Sequence, residues 1–412
     1  MIIKKECEGK MLANNILSIS QSAAAAKNAN KEVINATIGM LNGDDNEFYT
    51  FKTVEKVLKE VSYYDAFSYA DTDGGEEYKK AVLKWLFGPS LNRFLDNYHV
   101  GVVATPGGSG AIATTFQNYL KTNEKVLVPS VMWETYITLA KERGSMVSKY
   151  SLYDENNNFD LADLKEKIEE LMKVQESIIL VINDPCHNPT GFCMTDNDYE
   201  SLVQLLNSYN YPFVLLMDVA YFDFYDSDPS IIRNRYSILS KLNEKVLINF
   251  AFSGSKSFGL YGLRIGANVL FSKDKNEVTV FENAIGFTAR SNWGSSSKLG
   301  ASIISNLVLN EENYNDFSEE VKEVCSMLKR RSKVFLDEAN RIGLEMLPYE
   351  KGFFVCVPYK DPVELMVKLR EYDVWVVVTK TCIRVALCAV NEIEAQKLPS
   401  IISKAIEALK ER

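Results

Sequence analysis

The chain has 412 residues, of which 46% are hydrophobic and 25% are charged, and it carries a formal net charge of −9. This length allows more than one domain, and an acidic balance without a strongly basic block disfavours nucleic acid or an anionic membrane as a partner. No apolar run reaches the roughly 18 residues of a membrane helix, and residues 1–7 lack the apolar core of a signal peptide, so we expect a cytoplasmic protein.

The chain contains seven cysteines and only two histidines, His99 and His187. The cysteines are scattered and form no Cys-x-x-Cys pair, which favours reduced thiols over disulfides or structural zinc. With so few histidines, a His-based metal site and a Ser-His-Asp triad are both disfavoured. We therefore expect no bound metal, and a lysine or a carboxylate as the general base.

The first part of the chain alternates helical runs with turns. A small-residue, helix-prone run lies within residues 12–34, and a short strand follows that ends in turn residues. Gly39 lies at this turn, where a glycine permits close approach of the backbone. Further predicted elements are helices at residues 53–61 and 76–87 and a loop at residues 68–75.

A glycine-rich turn at residues 106–110 joins a predicted strand at 98–105 to a predicted helix at 111–120. Backbone N–H groups and the positive end of the helix dipole meet at such a helix start, which makes it a potential anion site. The spacing matches neither GxxxxGK[ST] nor GxGxxG. The pattern alone therefore does not indicate a nucleotide, and a tight structural turn explains it equally well.

Strands and helices then alternate along the chain. Predicted strands lie at residues 126–128, 146–150, 177–182, 213–217, 245–252 and 267–271. Predicted helices open at residue 133 and span residues 161–173, 196–207 and 276–287. Alternation at this spacing predicts an α/β fold, with a mainly parallel sheet between two layers of helices.

The regular alternation of predicted strands and helices ends towards the C-terminus. A long helical pattern covers residues 296–341 with a break near residues 310–311, and a closing helix is predicted at 392–410. Short strands are predicted at residues 353–357, 374–378 and 383–387. We therefore expect a large domain at residues 45–305 and a smaller α+β domain that combines residues 1–44 with 306–412.

Unusual polar residues recur where the predicted strands end. They are the glycine-rich turn, Asn188, Asp218, Tyr221 and Lys256. Because ligands of parallel α/β sheets bind beyond the carboxyl ends of the strands, we expect these residues to share one site.

Lys256 stands among groups that suit a phosphate monoester. Hydroxyls at Ser253 and Ser255 precede it, and Arg264 follows eight residues later. The lysine itself could be a second phosphate ligand or an amine that bonds a carbonyl covalently. Pyridoxal phosphate needs the whole set: a lysine for its aldehyde, a carboxylate for its ring nitrogen, and a phosphate cradle.

The chain resembles the class I aminotransferases, the relatives of aspartate aminotransferase, over nearly its full length. The matching motifs are TPGGSGA at residues 105–111, CHNPTG at 186–191, DVAY at 218–221 and SGSKSFGLYGLR at 253–264. The resemblance implies fold type I of the pyridoxal-phosphate-dependent transferases, with a mainly parallel seven-stranded sheet and a smaller α+β domain.

The resemblance also implies roles around the cofactor ring. Lys256 would hold pyridoxal phosphate and shuttle the proton, and Asp218 would pair with the pyridine nitrogen. Asn188 and Tyr221 would bond the phenolic oxygen, and Trp133 would stack on the ring. Trp133 lies two residues further from its Pro-Ser pair than in the family pattern.

Further residues are implied at the phosphate. The residues implied as its ligands are Gly108, Ser109, Ser253, Ser255 and Arg264. Tyr69 matches a family tyrosine that reaches the phosphate of the neighbouring subunit, so the resemblance implies a homodimer with shared active sites.

Substrate recognition is implied for three residues besides Asn188. Arg384 matches the family arginine that grips the α-carboxylate, and Gly39 would add a backbone contact. Arg290 aligns with the arginine that selects a side-chain carboxylate across the dimer, although an ordinary surface arginine is the alternative. The segment after Arg290 departs from the family's Asn-Tyr-Ser-Asn-Pro pattern, which leaves aspartate, glutamate and aromatic amino acids as candidate substrates.

We expect an aminotransferase with ping-pong chemistry, in which the cofactor carries the amino group from an L-amino acid to a 2-oxo acid such as 2-oxoglutarate. One alternative is a β-lyase or decarboxylase on the same fold, because fold does not fix function. The other is a non-catalytic cofactor-binding regulator. The acidic charge, and the start of the chain close to the predicted fold, disfavour a DNA-binding regulator.

Overall fold

A computed structural model of the chain describes residues 2, 7, 8, 10, 16–30 and 32–411. Most of residues 1–7, on which the prediction of no signal peptide depends, lie outside this part, as do residues 12–15 and 31 of the helix-prone run. Contacts between Cα atoms divide the chain into two compact units. The larger unit is Tyr49–Lys329 with Pro348–Phe353, and the smaller is Met1–Phe48, Arg330–Leu347 and Phe354–Arg412. The domain boundaries at residues 44/45 and 305/306 remain a prediction.

The described residues form strands and helices that we number in chain order. The strands are β1 (Ile34–Ala36), β2 (His99–Thr105), β3 (Lys125–Pro129), β4 (Met146–Tyr150), β5 (Ile178–Asn183), β6 (Phe213–Asp218), β7 (Val246–Ser253), β8 (Gly266–Ser272), β9 (Phe354–Pro358), β10 (Val374–Val378) and β11 (Cys382–Ala386). The helices are α1 (Ile16–Ala29), α2 (Lys52–Glu60), α3 (Tyr63–Phe67), α4 (Glu76–Phe87), α5 (Leu91–Leu95), α6 (Gly107–Tyr119), α7 (Thr135–Lys141), α8 (Leu161–Leu171), α9 (Asp196–Asn207), α10 (Pro229–Tyr236), α11 (Gly254–Ser257), α12 (Lys275–Asn292), α13 (Lys298–Leu309), α14 (Glu311–Ile342), α15 (Pro362–Arg370) and α16 (Glu392–Lys410).

The larger unit is built on a seven-stranded sheet in the order β2-β8-β7-β6-β5-β3-β4. β8 runs antiparallel to both of its neighbours, and all other neighbouring strands are parallel. Every residue of β5 and β6 is buried, as expected for central strands with both faces covered. The predicted mainly parallel seven-stranded sheet is confirmed.

The smaller unit contains a four-stranded sheet in the order β1-β10-β11-β9. β1 pairs with β10 in parallel, and the other two pairs are antiparallel. α15 packs on β10, and α16 starts at a capping box formed by Asn391 and Glu394. The predicted change to short strands and a closing helix at residues 392–410 is confirmed.

Several predicted boundaries differ from the structure. α6 begins at Gly107 rather than at residue 111, because the glycine-rich turn is itself the first turn of the helix. α7 begins at Thr135 rather than at residue 133. α12 continues past residue 287 to Asn292, which puts Arg290 in its last turn. The sequence pattern does not predict the short helices α3, α5, α10, α11 and α15.

A fully buried polar network fixes α6 against the sheet. Asn249 on β7, Asn268 on β8 and Thr115 on α6 are each 0% exposed. The Thr115 hydroxyl donates to Asn249 Oδ1 at 2.6 Å, and Asn249 Nδ2 donates to Asn268 Oδ1. Asn268 Nδ2 in turn donates to the carbonyl of Ala111 at 3.1 Å. Because buried amides are costly unless paired, this network holds the helix in one position on the two strands.

Candidate active site

A pocket opens at the edge of the large sheet where β5, β6 and β7 end. β2 ends at the same edge, because β2 and β7 both run antiparallel to β8. All of the residues that line the pocket belong to the larger unit. They are Gly108, Ser109, Ile112, Trp133, Asn183, Asn188, Asp218, Ala220, Tyr221, Ser253, Ser255, Lys256, Tyr261 and Arg264.

Lys256 lies on α11, the single helical turn that follows β7. The turn is capped by Ser253, whose hydroxyl accepts a hydrogen bond from the backbone N–H of Ser255 at 3.3 Å. The Lys256 Nζ lies 4.6 Å from the centre of the Tyr261 ring and 5.8 Å from that of Tyr221. Both aromatic faces attract a cation, and the amine is thereby held inside the pocket within reach of a bound carbonyl.

Asp218 is the last residue of β6 and is only 5% exposed. The Tyr136 hydroxyl donates to Asp218 Oδ2 at 2.5 Å, and the backbone N–H of Ala220 donates to Oδ1 at 3.3 Å. Burial raises the pKa of Asp218 to about 6, although these two donors lower it. A buried carboxylate of this kind strongly favours a cationic partner, such as a protonated ring nitrogen.

The loop after β5 brings Asn188 into the same pocket. Its backbone N–H donates to Asn183 Oδ1 at 2.7 Å, and Asn183 Nδ2 donates to the carbonyl of Asp218 at 2.9 Å. The peptide bonds Asp184-Pro185 and Asn188-Pro189 are both cis. Asn183 therefore connects the Asn188 loop to the end of β6.

An anion cradle forms the opposite wall of the pocket. α6 starts at Gly107, so the N–H groups of its first turn have no partner within the helix. A Cβ on Gly107 would lie 2.7 Å from Arg264 Nη2, which shows how closely the guanidinium approaches this turn. Arg264 Nη1 donates to the Ser255 hydroxyl at 3.0 Å. Guanidinium, hydroxyl and N–H groups on one concave surface fit a phosphate monoester.

Trp133 lines the pocket, despite its unusual spacing from the Pro-Ser pair. It is half-buried, and its ring meets that of Tyr136 edge-on at 5.5 Å. An aromatic plate and a buried carboxylate that line one pocket suit a planar, positively charged ring.

Two predicted residues of the larger unit lie outside this pocket. Tyr69 is 96% exposed, and Arg290 is exposed in the last turn of α12. The family resemblance implies that both act across a dimer, and that role remains a prediction.

Gly39 and Arg384 belong to the smaller unit. Arg384 is 5% exposed on β11, where its Nη2 donates to the carbonyl of Thr37 at 2.8 Å. Its guanidinium lies 4.1 Å from the centre of the Phe354 ring. Gly39 follows β1 and is half-buried.

Sequence reasoning did not assign a role to several residues that line the pocket or lie directly behind its lining. Tyr136 escapes notice because its hydroxyl reaches Asp218 only after α7 has packed against the sheet. Asn183 could have been identified from the sequence, since it is the first polar residue after the apolar run of β5. The other unassigned lining residues are Ile112, Ala220 and Tyr261.

Two features are absent from the described part of the chain. Among those residues, no cluster of three or more His, Cys, Asp or Glu side chains could hold a metal ion. Likewise, none of the helices described is both long and apolar enough to cross a membrane.

Comparisons with known proteins agree with this geometry. The family model described as aminotransferase class I and II matches residues 31–402. Aspartate aminotransferase of Escherichia coli K12 is 24% identical over 337 residues, which cover 80% of this chain and 82% of the relative. A solved aminotransferase from Anaerococcus prevotii is 28% identical, covers 99% of both chains and superposes with a TM-score of 0.93.

A second solved structure is the aromatic-amino-acid aminotransferase of Burkholderia pseudomallei, covalently bound to pyridoxal phosphate. It is 21% identical, covers 98% of this chain and 100% of its own, and superposes with a TM-score of 0.78, so it shares the fold. The predicted resemblance and the predicted fold type I are confirmed. The chain belongs to the aminotransferase class I and II family.

Proposed function

We propose that the chain is a pyridoxal-phosphate-dependent aminotransferase that moves an amino group between an L-amino acid and a 2-oxo acid. The observation that carries the proposal is the pocket, which joins a lysine amine, a buried carboxylate and an anion cradle at one sheet edge. Family membership supports the same activity. A solved relative of the same fold holds the cofactor covalently.

Bound pyridoxal phosphate supplies an aldehyde that bonds amines and a protonated ring that stabilises negative charge at a neighbouring carbon. Lys256 would hold the aldehyde and, once released, move the proton at the substrate Cα. Asp218 would keep the ring nitrogen protonated. The burial that raises the pKa of Asp218 to about 6 gives this pairing its strength.

The remaining lining residues would orient the cofactor. Asn188 and Tyr221 would donate to the phenolic oxygen, and Trp133 would cover one face of the ring. The proposed phosphate ligands are Gly108, Ser109, Ser253, Ser255 and Arg264. These assignments are supported by the position of each residue in the pocket lining.

We propose that Arg384 binds the substrate α-carboxylate, and that Gly39 and Asn188 also take part in substrate binding. Arginine suits this role because its planar fork pairs with both carboxylate oxygens. Arg290 would read a side-chain carboxylate, which makes aspartate, glutamate and 2-oxoglutarate the first candidates. Aromatic amino acids are the second group, since one relative of the same fold is an aromatic-amino-acid aminotransferase.

We also propose that the enzyme is a cytoplasmic homodimer in which Tyr69 reaches the phosphate of the second subunit. The support is a set of aromatic side chains on and after α3 that a single chain leaves open to solvent. Tyr63 is 85% exposed, Phe67 79% and Tyr69 96%. Exposed aromatic residues this close together are typical of a protein interface.

The test is a visible absorption spectrum of the purified protein with pyridoxal phosphate. We expect aspartate to shift the band of the bound cofactor and 2-oxoglutarate to restore it. Lys256→Ala is the control, and it should bind no cofactor covalently while keeping the far-ultraviolet circular dichroism of the wild type.

Other outcomes are equally informative. A band that ignores aspartate but responds to aromatic amino acids would discard the role of Arg290. Release of pyruvate or CO₂ without amino transfer would replace the aminotransferase by a lyase or decarboxylase. No band after addition of the cofactor would refute the proposal.

A further inference from the structure

Asp223 is a buried carboxylate to which the chemistry above assigns no task. It lies in the 3₁₀ turn Phe222–Phe224, two residues after Tyr221, and is 5% exposed. A carboxylate is rarely buried unless it is paired or hydrogen-bonded, so its partners indicate what it holds in place.

Its side-chain partner is Trp85 on α4, whose Nε1 donates to Asp223 Oδ2 at 3.0 Å. Burial raises the pKa of Asp223 to about 6, whereas the hydrogen bond from Trp85 and the charge of Arg233 lower it. The carboxylate therefore fixes the indole of Trp85 beside the turn that carries Lys256.

Aromatic packing supports the same connection. The Trp85 ring lies 5.2 Å from the ring of Phe258, the residue after Ser257. Phe258 in turn stacks on Phe317 at 5.1 Å with an angle of 8° between the rings. Phe258, two residues after Lys256, thus packs against the tryptophan that Asp223 fixes.

The tryptophan is itself fixed from the other side. Arg233 donates to the carbonyl of Trp85 at 3.2 Å from Nε and at 2.6 Å from Nη2. The same guanidinium lies 5.7 Å from the centre of the Trp85 ring. Trp85 is only 3% exposed, so its side chain cannot move without disturbing the packing of the core.

We propose that Asp223 is a positioning residue, whose hydrogen bond to Trp85 fixes the indole against Phe258 and thereby holds the turn of Lys256, so that its amine lies beside Tyr221 and Tyr261. Asp223 does not touch the reacting atoms and acts only through Lys256. The inference rests on the proposed function, because it concerns the lysine that would bond the cofactor.

The test measures how fast added pyridoxal phosphate attaches to Lys256 in cofactor-free protein. Attachment is trapped with borohydride at successive times, and the Lys256 peptide is quantified by mass spectrometry. Asp223→Ala should slow attachment roughly ten-fold or more, because a misplaced nucleophile loses much of its advantage of position. Asp223→Asn keeps an acceptor oxygen and should stay within about three-fold of the wild type.

Trp85→Phe keeps an aromatic ring but removes the Nε1–H donor to Asp223, and it should slow attachment of the cofactor as well. Trp375→Phe is the matched control, since Trp375 on β10 belongs to the smaller unit, and it should attach the cofactor at the wild-type rate. If Asp223→Ala does not fold, Trp85→Phe decides the question.

Attachment at the wild-type rate in a folded Asp223→Ala or in Trp85→Phe overturns the proposal, as does an Asp223→Asn that is as slow as Asp223→Ala. A purely structural role would lower the melting temperature and leave this rate unchanged. A wild-type protein that traps no cofactor on Lys256 would instead refute the proposed function itself.

Discussion

The buried carboxylate of Asp218, which would pair with the ring nitrogen of the cofactor, destabilises the folded protein when no cofactor is bound. Its carboxylate is buried at the end of β6, and burial raises its pKa from 3.8 to about 6. In the unfolded chain the group ionises near pH 4, whereas in the folded, cofactor-free protein it resists ionisation until about pH 6. Its contribution to the free energy of unfolding therefore falls as the pH rises from about 4 to about 6, and then stays constant.

We predict that Asp218→Asn stabilises the cofactor-free protein while abolishing transamination. A shift of about two pKa units corresponds to roughly 3 kcal/mol, so above pH 6 the variant should gain up to about that much. Asparagine still accepts a hydrogen bond from Tyr136, so the local packing is kept. Urea unfolding of both proteins at pH 4, 5, 6 and 8 measures the difference. If the variant is stabilised as much at pH 4 as at pH 8, the stabilisation does not come from the ionisation of Asp218.

The residue scale also shows what the sequence can and cannot predict about the site. Lys256, Asp218 and Asn188 are predictable because each lies at or after the end of a strand, and these strand ends meet at one sheet edge. Tyr136 is not, because its contact with Asp218 spans 82 positions of the chain and depends on how α7 packs. The surroundings of Asp223 are hidden for the same reason, since Trp85 is 138 positions away.

At the scale of elements, the start of α6 is decided by tertiary contacts against local propensity. Glycines are poor helix formers, and the pattern predicts a start only at residue 111. Gly107 nevertheless adopts a φ of 70°, and a Cβ on Gly108 would lie 3.1 Å from the Cβ of Ser253. Close packing of the first turn against β7 and Arg264 therefore requires glycine at both positions, and the helix begins there.

We predict that Gly107→Ala weakens cofactor binding beyond its effect on stability. The left-handed conformation costs a non-glycine residue roughly 1–2 kcal/mol, and the new methyl group would also displace Arg264 from the cradle. Loss of one charged contact should raise the dissociation constant of pyridoxal phosphate roughly ten-fold or more. Equilibrium dialysis measures that constant, and thermal unfolding measures stability.

Gly144→Ala provides the control for this variant. Gly144 also has a positive φ, of 69°, but a Cβ there would only contact Thr122 at 3.4 Å. It should lose similar stability and keep its cofactor affinity. Equal losses of affinity in both variants would show that strain, and not the cradle, controls binding.

At the scale of the whole molecule, the exposed aromatic side chains of α3 bear on assembly. Tyr63 and Phe67 stack on each other at 6.1 Å, so they present one continuous apolar surface. Tyr69 follows in the same segment. If the two subunits of the proposed dimer meet at this surface, dimer formation also brings Tyr69 to the phosphate site of the second subunit.

We predict that Phe67→Glu weakens self-association and cofactor affinity together. A charge placed in a buried apolar contact should raise the dimer dissociation constant roughly ten-fold or more. Sedimentation velocity over a range of concentrations measures it. Ile393→Glu is the control, because Ile393 is 63% exposed on α16 of the smaller unit, and it should leave association unchanged. A fully dimeric Phe67→Glu protein would exclude this surface.

The buried network of Asn249, Asn268 and Thr115 has a consequence for how the chain finds its fold. Apart from their asparagines and terminal serines, β7 and β8 are mostly apolar, and hydrophobicity alone would tolerate several alignments of the two strands. A slip of one residue would turn the side chains to the opposite faces and leave the amides without partners in the core. The network therefore favours the one alignment that brings the ends of β7 and α6 together.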